Sequence, residues 1–164
     1  MIKTAYFAGG CFWCITPQFA ELKGVISVTA GYCGGDEADP TYEDVKHQKT
    51  HHRETIKVEY DDTEVGYTDL LDLYIRSVDP LDGNGQYIDK GYSYTLAIYY
   101  TDENEKQLSS DAVKNLEESL GQTTFISIEE YKHFYDAEEY HQDYYKKNPE
   151  AYQKELVESG RIKV

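Results

Sequence analysis

Residues 2–22 read IKTAYFAGGCFWCITPQFAEL. Ile2 to Ala8 has the length and apolar content of a short buried strand, and Gly9-Gly10 closes it. From Cys11 to about Leu22 the chain reads as a helix stopped by Gly24. Pro17 complicates that helix, because it has no N–H to donate to residue 13. Either the helix begins at Cys11 and kinks at Pro17, or Thr16 caps a later helix with Pro17 in its tolerated first position. In the second reading Cys11 to Cys14 form a preceding turn. Both readings put Cys11 where a strand hands over to a helix.

Working outward, Val25 to Ala30 is β-branched and alternating, a strand, and residues 31–40 read as a Gly-rich loop. Glu54 to Tyr60 alternates as a half-buried strand. Thr68 to Val78 carries Leu70, Leu71, Tyr74, Ile75 and Val78 at helical spacing, with Thr68 as N-cap. Asp82 to Gly91 is a loop, Tyr94 to Tyr100 a strand, Glu103 to Leu120 a helix ending at Gly121, and Phe125 to Ile128 a strand. An acidic, Tyr-rich tail follows, with a helix near Ala137 to Lys146. The order β-α-β-β-α-β-α-β-α predicts an α+β fold. It contains the β-α-β-β-α-β series of a ferredoxin-like plait, a mixed sheet with helices packed on it. At 164 residues, with neither repeats nor linkers, residues 1–164 read as a single domain.

Composition narrows the function. Lys and Arg number 16 against 31 Asp and Glu, a net charge of −15. That argues against nucleic acid or an anionic membrane as partner, since both demand basic patches. Seventeen Tyr against five Phe predict many rings at half-wet surfaces, with hydroxyls seeking partners. No stretch approaches the roughly 18 apolar residues of a membrane span, and the N-terminus lacks a secretory h-region. Three cysteines, an odd number, fit reduced thiols in a cytoplasmic protein better than a disulfide framework.

Cys-x-x-Cys in that setting serves redox chemistry or metal binding. At a helix N-terminus Cys11 faces free backbone N–H groups and the positive end of the dipole, which favour thiolate, so its pKa is expected below the ordinary 8.5 or so. Cys14, three residues on, is within bridging reach. A thioredoxin-like electron carrier is the local rival, because it too places Cys-x-x-Cys between strand and helix. A zinc module could draw on Cys11, Cys14, Cys33 and His51-His52, but Phe-Trp between the first two suits a knuckle badly.

The remaining motifs point one way. GGCFWC, GYCGG, DPTYEDV, HHRE, DKGYSY, AIYY and FYDAEEYHQDYYKKNP, in order from about residue 5 to about 150, resemble the A-type peptide-methionine sulfoxide reductases. The resemblance implies thiol-dependent reduction of the S epimer of methionine sulfoxide, free or in proteins and peptides, as repair of oxidative damage. It implies no cofactor and recycling by thioredoxin or a similar dithiol. Residue by residue, Cys11 resembles the nucleophile, and Phe12 and Trp13 the walls of the pocket for the substrate's S-methyl group. Glu54 resembles the acid, Tyr32 and Tyr94 the tyrosines that bind the sulfoxide oxygen, and Asp89 a supporting carboxylate. The chemistry asks for this set. Sulfoxide sulfur is electrophilic, but its oxygen leaves only when protonated, so a thiolate and a positioned acid must act together. A carboxylic acid neutral near pH 7 needs an apolar setting or a nearby negative charge.

The sequence departs from the family pattern at the positions the family uses for recycling. The stretch KNPEAYQKELVESGRIKV carries none of the C-terminal recycling cysteines of many relatives. Cys14 and Cys33 stand where GCFWG and GYAGG are commoner, so either could resolve a sulfenic acid on Cys11, the remaining alternative being direct attack by an external thiol. Cys14 is the nearer by spacing, while Cys33 points away from Tyr32 if that segment is extended. His51 and Arg53 also depart from the usual residues beside Glu54.

Overall fold

The computed structural model describes residues 1–158. Six strands form one sheet in the order β7-β6-β1-β3-β2-β8. These are β1 (Ile2–Gly9), β2 (Val25–Cys33), β3 (Arg53–Asp61), β6 (Leu96–Tyr100), β7 (Ser127–Glu130) and β8 (Phe134–Asp136). β1 lies between β3 and β6, antiparallel to both, and only the β6–β7 pair is parallel. The fold is therefore α+β with a mixed sheet.

Alternation along the strands sorts the core. Phe7, Tyr32, Ile56, Val58 and Ile98 face α1 (Phe12–Ala20), α3 (Tyr67–Ser77) and α4 (Glu103–Leu120), forming the main core with Phe19, Leu70, Tyr74 and Val113. Tyr6, Ala8, Cys33, Ala97 and Tyr99 point to the other face, which Tyr131 and Phe134 cover. α4 runs over the predicted residues because its ends are locally encoded: Asp102 accepts from Glu105 N (2.7 Å) and Gly121 supplies the left-handed φ of +71°.

The strand-to-helix switch uses both glycines. Gly10 takes φ +86°, and a Cβ on Gly9 would overlap Ile15. α1 starts at Phe12 with Cys11 as N-cap, and Pro17 lies inside it. Thr16 is not a cap; its hydroxyl donates to Phe12 O (2.6 Å) within the helix.

Other boundaries shift where tertiary contacts outweigh local signals. β2 continues through the predicted loop to Cys33 because Gly31–Cys33 pair with β3 on one side and β8 on the other. The N-cap of α3 is Gly66 rather than Thr68, since the Asp69 carboxylate accepts from Gly66 N (2.8 Å). The predicted 82–91 loop contains a small hairpin, β4 (Gly85–Gln86) and β5 (Asp89–Lys90). A 3-10 turn, Tyr92–Tyr94, then delays β6 to Leu96. The strand expected at Phe125 begins at Ser127, and α2 (Tyr42–Lys46) was not anticipated. The tail does not form the helix expected near Ala137. It gives β8, a 3-10 turn (Glu139–His141), the short α5 (Tyr144–Lys147) and α6 (Pro149–Glu158). Gln142 ties it down: its side-chain oxygen accepts from Ala30 N (2.8 Å) and its amide donates to Ala30 O and Ala137 O.

Candidate active site

The site forms where the start of α1 meets the ends of β2 and β3. Tyr32 and Glu54 are register partners on antiparallel strands, so their side chains share one face. The sheet aims both at the helix N-terminus, where Phe12 N, one of its free donors, reaches Glu54 Oε1 (3.2 Å). Glu54 is 2% exposed. Burial, with the nearby negative charge of Asp89, raises its carboxyl to a pKa of about 8 against the opposing bonds from Phe12 N–H and the Tyr94 hydroxyl. At neutral pH it holds a proton.

Cys11 departs from its expectation. Its thiol is pushed well above the ordinary value by a hydrogen bond with Cys14, by burial, and by the proximity of the other acidic groups of the site, Glu54 and Asp89. The Phe12 N–H, one of the free donors at this helix N-terminus, is used by Glu54. The resting site thus pairs a protonated thiol with a protonated carboxyl, beside the half-buried Asp89 and the buried Tyr94.

Aromatic rings wall this pair. Phe12 is buried and Trp13 half-buried. Trp13 stacks on Tyr144 (centroids 4.0 Å apart, 12° between planes), and its indole N–H donates to His141 Nδ1 (3.0 Å). Tyr42 packs on His141 (4.2 Å) and lies 6.4 Å from the Phe12 ring. With Nδ1 accepting from Trp13, the proton of neutral His141 sits on Nε2. That buried atom meets no hydrogen-bond partner among the described residues. Burial lowers the pKa of His141 and so favours the neutral ring.

Such an arrangement can present a thiol and an acid to the two atoms of a sulfur–oxygen bond while an apolar wall holds an alkyl group on the sulfur. The family model described as peptide methionine sulfoxide reductase matches residues 3–164. This chain belongs to that family. Peptide methionine sulfoxide reductase MsrA of Ligilactobacillus salivarius is 45% identical over 91% of this chain and 88% of its own length. The crystal structure of reduced Mxr1 from Saccharomyces cerevisiae superimposes with a TM-score of 0.86 at 29% identity, over 91% of this chain and 87% of that one. Mxr1 in complex with Trx2 matches with a TM-score of 0.60 at 21% identity, over 87% and 84%, a likeness of fold. The protein is thus an enzyme that reduces peptide methionine sulfoxide.

Within this reductase the expected site residues Cys11, Phe12, Trp13, Tyr32, Glu54, Asp89 and Tyr94 come together at the start of α1. Tyr32 arrives with its hydroxyl already engaged: it donates to Glu138 Oε1 (2.8 Å), while Glu138 Oε2 accepts from Tyr42 N (3.1 Å). Cys14 is fully buried beside Cys11, under Leu156 and Tyr152 of α6. Cys33 is equally buried but on the other face of the sheet, where burial pushes its thiol up to about 12. Arg53 also faces that side, bonding Tyr99 (3.1 Å) and Glu129 (2.6 Å). His51 and His52 are both tied to Glu37, and the described residues contain no cluster arranged to hold a metal ion. Tyr42, Glu138, His141 and Tyr144 were not assigned roles from sequence. Their signal lay in DPTYEDV and AEEYHQDYY, which were read only as pattern.

Proposed function

We propose that the reductase acts on the S epimer of methionine sulfoxide, free and within oxidised proteins and peptides, by a thiol–acid mechanism. Cys11, as thiolate, attacks sulfur while Glu54 delivers its proton to oxygen. Oxygen passes to Cys11 as sulfenic acid, and methionine leaves with the sulfur reduced. Tyr94 and Tyr32 border the oxygen, Asp89 supports Glu54 and Tyr94, and Phe12 and Trp13 enclose the S-methyl group. The observation that carries this reading is Glu54: a buried carboxyl, protonated near neutrality, bonded to the backbone of the helix that begins beside Cys11.

The Cys14 thiol then condenses with the sulfenic acid, releasing water and leaving a Cys11–Cys14 disulfide. The hydrogen bond between the two thiols supports Cys14, whereas Cys33 would have to cross the sheet. Thioredoxin or a similar dithiol reduces the disulfide by exchange; the complex of Mxr1 with Trx2 supports that partner. The reading needs no cofactor, nucleic acid or membrane. No helix among the described residues is long and apolar enough to cross a membrane, and the three thiols suit the cytoplasm. The strand order β6-β1-β3-β2 supports a ferredoxin-like plait with a Tyr-rich tail wrapped on it, as one domain over 1–164.

The test incubates reduced protein with each sulfoxide epimer and dithiothreitol. Methionine is expected from the S epimer only. None from S, or equal yields from both, would reject the reading.

A further inference from the structure

We propose that Gln48 is a positioning residue for the reaction, holding in place the turn that carries Tyr94. This deepens, and rests on, the roles given to Tyr94 and Glu54 above. Gln48 lies just beyond α2 with φ +60°, left-handed backbone that residues with a Cβ rarely adopt. Glycine would sit there without strain, so what the glutamine gains must come from its side chain.

Both ends of that side chain grip one residue. The Gln48 carbonyl oxygen accepts from Ser93 N (3.0 Å), and its amide nitrogen donates to Ser93 Oγ (2.8 Å). The same nitrogen donates to Lys46 O (3.0 Å), which fixes the amide to its own backbone. Ser93 is 1% exposed and immediately precedes Tyr94 in the 3-10 turn. The turn lies directly on the amide: at Gly91 (φ +125°) a Cβ would come within 2.7 Å of Gln48 Nε2. Arg53 Nε holds the far end of the turn through Thr95 Oγ1 (2.8 Å), and Gln48 holds the near end. Tyr94 in turn hydrogen-bonds Glu54, and Asp89 lies in β5 just ahead of the turn. Releasing Gln48 therefore loosens Tyr94 against the acid without touching either group.

Gln48 is itself exposed, so water can replace part of the grip. The expected loss is accordingly about tenfold, below the hundredfold that a misplacement of about 1 Å can cost.

Gln48→Gly separates position from stability, because it removes the clamp while relieving the left-handed backbone. Single-turnover methionine formation from the S epimer is measured alongside the melting temperature. The rate is expected to fall about tenfold with no loss of melting temperature. In a Tyr94→Phe background the substitution should cost nothing further, since Gln48 acts through that hydroxyl. Gln48→Gly with Ser93→Gln returns an amide to the same gap from the opposite side and should recover most of the rate. An unchanged Gln48→Gly rate, or an equal loss with and without the Tyr94 hydroxyl, overturns the proposal. A wild-type enzyme inactive on the S epimer would sink the underlying reading and this proposal together. An active wild type with an indifferent Gln48→Gly sinks this one alone.

Discussion

Replacing Glu54 by Gln tests the acid through two pH profiles at once. The carboxyl titrates near 8 in the fold against an ordinary 4.5. At about 1.4 kcal/mol per pH unit, the site disfavours the carboxylate over the acid by roughly 5 kcal/mol. The sign follows from proton counting. Below pH 4.5 both folded and unfolded Glu54 are protonated and there is no penalty. Between 4.5 and 8 the unfolded chain has released a proton that the folded chain keeps, so stability falls as pH rises, and above 8 the full penalty applies. The neutral amide of the Glu54→Gln variant has no such proton to release. Denaturant unfolding of wild type and Glu54→Gln should therefore give stabilities that diverge between about pH 4.5 and 8.5, the variant gaining on the wild type by up to roughly 5 kcal/mol. Taking the difference cancels Glu105, also raised by burial. The rate tells the same story. Wild-type sulfoxide reduction should climb with pH as Cys11 ionises, then stop climbing near 8 as Glu54 loses its proton. Glu54→Gln should run about a hundredfold slower without that break, the usual worth of a general acid. Parallel stability curves, or a break near pH 8 that survives the substitution, would refute the assignment.

Cys14→Ser should yield one methionine per enzyme and then fail to recycle with thioredoxin, while Cys33→Ser recycles normally; the opposite pattern in a thioredoxin-coupled assay would move the resolving role across the sheet. Leu156→Ala should cost about 2–3 kcal/mol and speed alkylation of Cys14 by iodoacetamide in the Cys11→Ser protein, because Leu156 covers the buried thiol pair; labelling at the parent rate would show that α6 does not control access. Tyr32→Phe removes a bond to Glu138 and should destabilise by about 1–3 kcal/mol; a single-turnover rate that stays at the wild-type level would leave Tyr32 a purely structural tyrosine.

Physical range divides what the sequence determined from what it did not. Helix α4 was legible to the residue because its cap, period and terminal glycine all lie within one short stretch, Asp102 to Gly121. The strand–Gly-Gly–helix switch at Cys11 was legible because a left-handed glycine and an apolar run are local signals. The α+β class followed from element order. Even the separation of Tyr32 from Cys33 followed from the two-residue period of a strand, once that segment was known to be one. Whether it was one depended on β8, about 100 residues further along, and no local pattern carries that. The tail likewise took its form from contacts such as Gln142 on Ala30 rather than from its own periodicity. The clearest divide is Cys11. Sequence placed it at a helix N-terminus and so predicted an easily ionised thiol. Folding brought Glu54, 42 residues from Phe12, onto that N-terminus, took its free N–H, and buried thiol and carboxyl together. Identity and local conformation are written in short stretches of chain, whereas protonation depends on solvent exclusion and on charges that only the tertiary structure brings within range.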